Sequence, residues 1–447
     1  MSPIAPSDAV LPTIVGANGD CGQRNGVDTE LGWMHDLPAG RAFYGSTPDK
    51  GVAMSAHDVV IIAGSRTPQG RINGQLSSLT AVQLGAAAIA GALDRAGVAP
   101  DQVDTVLMGQ VLQAGCGQNP ARQSAIAAGI PWNVPAMTLN KVCLSGLAAV
   151  VDAARLIRLG EATVVVAGGQ ESMSKAPHLL SGSRQGWAYG SVTALDHAAH
   201  DGLTDAFDGL SMGLSTEQIN GKLGIDRMRQ DEIAAGSHQR AAAAQSAGLF
   251  DDEITPISVP QRKGDPLVIS SDEGVRGDST TDTLGRLRPA FSKEGTITAG
   301  NSSPLSDGAS AVVVASRAWA EENGLAWLAV VEASGHVAGP DNSLHSQPSN
   351  AIAAALARAG WQAGDLDLVE INEAFAAVAL QSSQDLSISR EKVNIHGGAI
   401  AIGHPIGASG ARLALHAALE LARRGSGKAA VSLCGGGGQG EALLLSR

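Results

Sequence analysis

At 447 residues, 44% of them hydrophobic, the chain can bury a large core and is too long for one ordinary domain, so two or three domains are expected. Lysine and arginine number 31 against 43 aspartates and glutamates, a net charge of −12 that argues against non-specific nucleic-acid binding. No charge-free apolar stretch reaches the roughly 18 residues of a membrane span, and no basic-then-apolar leader opens the chain. Cys21, Cys116, Cys143 and Cys434 are scattered without CxxC spacing, so the reading is a soluble, cytoplasmic protein with neither a disulfide framework nor a metal site.

Residues 1–55 are rich in glycine, proline, aspartate and serine and hold no period, so they read as a poorly ordered extension, with Met54 as a candidate initiator. From Asp58 the pattern alternates. A strand at 58–63 is followed by a helix over 81–96, a strand at 103–108 and a helix after Pro120. This alternation predicts an α/β fold with largely parallel strands.

The stretch LNKVCLSGLAAVVDAARLIRLGEATVVVAGG at 139–169 places Cys143 where a short apolar segment turns into a helix. Leu147, Val150, Val151, Ala154 and Ile157 recur at helical spacing, Gly160 marks the stop, and 163–167 is the next strand. A thiol at a helix N-terminus meets unpaired N–H groups and the positive end of the helix dipole, which predicts a depressed pKa and a nucleophilic thiolate. The alternative for a cysteine among Leu, Val and Ala is a small buried hydrophobe.

Residues 175–298 are more charged and glycine-rich, with one helix candidate at 231–245, and read as a loop-rich insertion. Its Lys263, Arg276, Arg286 and Arg288 could anchor an anionic ligand or merely form a solvated face. Beyond it the first plan repeats. ALDRAGVAPDQVDTV at 92–106 and ALARAGWQAGDLDLV at 355–369 share 7 of 15 residues at an offset of 355 − 92 = 263. Ser145-Gly146 and Ser409-Gly410 recur at 409 − 145 = 264, each opening a helix rich in Ala and Leu. Two related halves are expected, the first from 56–174 and 299–317, the second from 318–447, with 175–298 as an inserted loop domain.

The repeat sets GHPIGASG at 403–410 in the place that the Cys143 loop takes in the first half, so His404 is a candidate general base. Cys434 closes a strand at 429–433 and is followed by GGGGQG, where glycines expose backbone N–H groups. The chain ends too soon after Gly440 for that run to be a dinucleotide fingerprint. Asn372 follows a strand at 367–371; it is either a helix cap or an amide that could hold a water or an oxyanion. Two cysteines, a histidine and an asparagine in strand-end loops suit acyl transfer through a thioester.

From Asp58 onward the chain resembles the thiolases, and among them the acetyl-specific acetyl-CoA acetyltransferases. The resemblance rests on NKVCLSGL at 140–147, GQNPARQ at 117–123, GGQESMSKAPH at 168–178, GLTDAFDG at 202–209, NEAFA at 372–376, GGAIAIGHPIGASGAR at 397–412 and CGGGGQG at 434–440. It implies the thiolase fold, two βαβαβαββ halves in a five-layered α-β-α-β-α core plus a loop domain that binds coenzyme A, assembled as a homotetramer made of two dimers. The implied reaction is the reversible Claisen condensation of two acetyl-CoA to acetoacetyl-CoA and coenzyme A, with no cofactor, metal, membrane or nucleic acid. Cys143 would be the acylated nucleophile, His404 its base, and Cys434 the base that deprotonates the second acetyl group. One oxyanion hole would use His404 and a water held by Asn372, the other the backbone N–H groups of Cys143 and Gly436. Coenzyme A would be contacted by His178, Arg276, Thr283, Leu287, Phe291, Ala299, Ser303 and Phe375; Thr283 stands where some relatives have serine. The competing readings are a degradative 3-ketoacyl-CoA thiolase and a non-catalytic thiolase-like lipid carrier.

Overall fold

A computed structural model describes residues 58–447, and the expectations for the extension and for Met54 lie outside the described residues. Nine strands follow one another across a single sheet path: β1 Val59–Arg66, β2 Thr105–Gly109, β3 Ala136–Leu139, β4 Val164–Ser172, β5 Ser306–Ser316, β6 Ala329–Ala338, β7 Leu368–Ile371, β8 Lys428–Gly435 and β9 Gln439–Ser446. The spatial order is β7-β8-β9-β6-β1-β5-β4-β2-β3, and the two-residue strand Gly70–Arg71 pairs with β5 off this path. The first half contributes β1-β5-β4-β2-β3 and the second β6-β9-β8-β7, meeting where β1 pairs antiparallel with β6.

Strands are parallel where a helix carries the chain across, as in β3-β2-β4 and β7-β8. The other five pairings on the path are antiparallel, which corrects the expectation of largely parallel strands. The reason is topological. In each half the last strand, β5 or β9, inserts between the first strand and its predecessor and must run back along both. For β9 the reversal is a tight turn in which Gly437 and Gly438 take φ of +75° and +66°, a region that favours glycine.

The helices that matter are α1 Ala81–Ala96, α2 Pro120–Ala127, α3 Ser145–Arg158, α4 Met212–Leu223, α5 Arg227–Ser246, α6 Gln347–Ala359, α7 Ala376–Asp385 and α8 Ser409–Arg424. α1 opens with a capping box between Thr80 and Gln83 and closes at Gly97 with φ +64°; its repeat partner α6 closes at Gly360 with φ +68°. Strand alternation sorts side chains into layers. On β2, Leu107 faces the core that holds α3 and α8, whereas Val106 and Met108 face the core under α1 and α2. On β7, Leu368 faces the α3–α8 core, and Val369 and Ile371 face the one under α6 and α7. The result is α-β-α-β-α, with α3 and α8 sandwiched between the halves and burying apolar residues from both.

The segment between β4 and β5 holds α4, α5 and two small hairpins, His178–Leu179 with Leu195–Asp196 and Ile257–Val259 with Leu267–Ile269. Among the described residues no helix is long and apolar enough to cross a membrane.

Candidate active site

Cys143 follows β3 through the turn Asn140–Lys141–Val142 and precedes the first turn of α3. Val142 has φ +52°, a conformation a β-branched residue holds only when its surroundings enforce it. They do so through several bonds. Asn140 Oδ1 accepts from the Val142 N–H at 3.0 Å, and the Ser145 hydroxyl accepts from the Lys141 N–H at 2.8 Å while donating to the Val142 carbonyl at 2.6 Å. The thiol is thereby turned toward the second half, and it lines a cavity of about 300 Å³ together with His404, Cys434 and Gly436.

His404 sits in the loop before α8, its N–H donated to Ser306 Oγ at 3.0 Å. Its Nδ1 lies 2.6 Å from Ser409 Oγ, which itself donates to the Pro405 carbonyl at 3.0 Å. With both bonds made, Nδ1 carries the proton and Nε2 keeps its lone pair. Asn372 packs behind this ring, its amide nitrogen 3.3 Å from Nε2, and its Oδ1 has no protein partner. The loop is pinned from below by Glu171, whose carboxylate accepts from the N–H groups of Gly407 at 2.9 Å, Val111 at 3.0 Å and Leu112 at 3.1 Å. Burial raises the Glu171 carboxyl to about 7 against these three donors.

Cys434 is the next-to-last residue of β8, 1% exposed, beside Ile297, Leu344, Phe375 and Val378. Burial, and then the neighbouring Cys143, push its thiol well above the ordinary value. Cys143 is only half-buried, its open side facing the cavity, yet enclosure by protein raises its thiol to about 12. Its own N–H and that of Gly436 converge on the sulfur and oppose that rise. The expected low pKa is therefore corrected: loss of solvent outweighs the helix end, whose first turn begins two residues later, at Ser145. Burial, followed by the charge of Arg412, lowers His404 to about 3, so its imidazole is neutral at pH 7.

The cavity walls are apolar, formed by residues such as Met173, Leu203, Met212 and Ile406, and its lining includes Ser303, Phe291 and Phe375 from the expected coenzyme A set. The two phenylalanine rings meet edge-on at 6.2 Å, and Phe291 lies so close to Gly213 that any side chain there would collide with it. The other five of that set stand outside the lining. His178 is exposed on a two-residue strand, Arg276 and Ala299 are exposed, and the Thr283 hydroxyl is spent on the backbone of Thr280. Leu287 covers Gly300, in the segment leading to Ser303. The sequence marks Ser409 only as a repeated helix start and does not mark Glu171. A serine at the start of α8 and an acid inside an apolar strand are signals, but only the fold names their partners. Among the described residues no cluster of three or more His, Cys, Asp or Glu could hold a metal ion.

Comparison with known proteins agrees with this architecture. The family described as thiolase, N-terminal domain, matches residues 59–318, and thiolase, C-terminal domain, matches 325–447. The chain is 58% identical over 388 residues to a probable acetyl-CoA acetyltransferase of Mycolicibacterium smegmatis, covering 87% of this chain and 100% of that protein. It is 52% identical over 390 residues to the acetyl-CoA acetyltransferase of Cupriavidus necator, covering 87% and 99%. The protein belongs to the thiolase family.

Proposed function

We propose that this protein is an acetyl-CoA C-acetyltransferase that condenses two acetyl-CoA to acetoacetyl-CoA and coenzyme A, and runs the reverse thiolysis. The observation that carries the reading is one small, apolar-walled cavity into which two cysteines from different halves and a neutral histidine all open. The Cys143 sulfur attacks the first thioester carbonyl as its proton passes to His404 Nε2. Coenzyme A leaves as the thiol by taking the proton of Cys434, which becomes a thiolate. That thiolate removes an α-proton from the second acetyl-CoA, and the carbanion attacks the acetyl group on Cys143. The carbon–carbon bond forms, and Cys143 leaves and recovers its proton from His404, so both sulfurs and the imidazole return to their starting states.

The proton bookkeeping suits the environments. A thiol with a raised pKa makes a stronger base once deprotonated, which a weakly acidic C–H demands. The N–H groups of Cys143 and Gly436 are aimed where the thioester oxyanion develops, and His404 with a water held by Asn372 serves the enolate. We assign Ser303, Phe291 and Phe375 to the pantetheine path, and the exposed residues His178, Arg276, Thr283, Leu287 and Ala299 to the region of the nucleotide. No further cofactor is required. Exposed Leu180, Trp187, Tyr189 and Val192 in the loop region support assembly through it into a cytoplasmic homotetramer.

The test is thiolysis of acetoacetyl-CoA against longer 3-ketoacyl-CoA substrates, with Cys143→Ser and Cys434→Ser alongside. Turnover of acetoacetyl-CoA should dominate, and each variant should lose about a thousandfold or more in kcat. Turnover restricted to longer substrates would make it a degradative thiolase, and no turnover of either would return the carrier reading.

A further inference from the structure

Cys143 and Cys434 belong to different halves, so the distance between their sulfurs depends on how the nucleophile loop seats on the β8–β9 hairpin. Two of the contacts at this seam are apolar and carry little directional information: Leu144 lies over Gly435, where an added methyl would come within 2.7 Å of it, and Val142 lies over Gly436. The charged contact differs. Lys141 Nζ, two residues before the nucleophile, pairs with Glu441 Oε2 at 2.9 Å. Glu441 stands on β9 directly across from Leu433, the residue before Cys434. Its side chain is 1% exposed against 32% for Lys141, so the acceptor is fixed in the core of one half and the donor reaches it from the other.

The remaining oxygen of Glu441 lies 3.0 Å from His336 Nδ1 on β6, and His336 Nε2 lies 2.6 Å from an Arg155 amino group on α3. The carboxylate therefore holds one first-half cation and one second-half imidazole directly, and Arg155 of the first half reaches it only through that imidazole. A buried carboxylate that loses a partner relaxes by moving or by drawing in water, either of which would unseat the strained Val142 turn.

We propose that Lys141 is a positioning residue whose ion pair with Glu441 sets the approach of Cys143 to Cys434 in the carbon–carbon bond step; this rests on the condensation reading above. Acylation of Cys143 uses Cys434 only to hand a proton to the departing coenzyme A sulfur, and because a thiolate is already a good leaving group that transfer tolerates small displacement. Bond formation needs the carbanion generated at Cys434 to reach the acetyl group on Cys143, so it is more sensitive to displacement.

The experiment compares two rates in the full-length protein and in Lys141→Met, Lys141→Arg and Glu441→Gln. One is exchange of labelled coenzyme A into acetyl-CoA, which reports acylation alone; the other is kcat for acetoacetyl-CoA formation. Lys141→Met and Glu441→Gln should lower kcat for condensation by about tenfold to a hundredfold while exchange changes less than about threefold, and Lys141→Arg should restore most of the loss. Equal loss in both rates, or undiminished condensation in Lys141→Met, overturns the proposal. Should Glu441→Gln fail to fold, the more exposed Lys141 site still decides the question. Absence of exchange in the unmodified protein would instead count against the condensation reading itself.

Discussion

For the proposed role of accepting a thiol proton the imidazole at position 404 has to be uncharged beforehand, and burial and then Arg412 see to that by holding it near 3. The sign follows: the folded state binds the proton less readily than the unfolded chain, so this group costs stability as pH falls from 6.5 toward 3 and costs nothing above 6.5. Nitrogen-detected NMR of the imidazole should show His404 still neutral at about pH 5, where an ordinary histidine is protonated. Protonation there near pH 6.5 would refute the burial argument. Cys143, His404 and Cys434 were legible as candidates because Cys143 stands where an apolar segment turns into a helix, and the other two stand in glycine-rich runs beside predicted helices or strands. The protonation state of Cys143 was not, since it depends on how completely distant segments enclose the sulfur. For the same reason the exposure of His178 and the local capping by Thr283 could not be read from their motifs.

Gly146 and Gly410, found as a repeated pair in the sequence, are where the two inner helices touch. A methyl on Gly146 would lie 2.9 Å from the Gly407 carbonyl oxygen, and one on Gly410 would lie 2.6 Å from the Leu147 Cβ. Only glycine lets α3 and α8 approach this closely, and that approach brings the loops bearing Cys143 and His404 to one cavity. Gly410→Ala should destabilise the protein by about 1–3 kcal/mol, read as a lower urea midpoint, with loss of activity exceeding what the unfolded fraction explains. An unchanged midpoint would mean the helices can part without cost. The expected bounds of α1, 81–96, match the structure, and α5 extends the expected 231–245 to 227–246. Strand direction did not follow, because the antiparallel insertion of β5 and β9 is a choice among sheet orders that local pattern leaves open.

The loop segment is tied to both halves by a buried ionic cluster. Arg66 at the end of β1 pairs with Glu253 at 2.8 Å and with Asp272 at 2.7 Å, and the other oxygen of Glu253 lies 2.8 Å from His416 on α8. Burial alone would raise the Glu253 carboxyl, but Arg66 and His416 overcome it and hold the group below the usual carboxylate range. A depressed carboxyl gives stability that is fully present above its unfolded value of 4.5 and is lost as pH falls below it. Glu253→Gln should therefore cost about 3–5 kcal/mol at pH 7, through the stranded cations, and should flatten the acid limb of the stability profile. Equal acid sensitivity in the two proteins would place the pH dependence elsewhere.

Composition, the internal repeat and the glycine-punctuated motifs by themselves determined an acidic α/β protein of two related halves with thiol chemistry at strand ends, because these properties are written in neighbouring residues. Tertiary structure decided the direction of the strands, the partners of Ser409, Glu171 and Glu441, and the protonation of the two thiols. Each of those depends on which distant groups share a buried volume, and that is settled only when the halves close on α3 and α8.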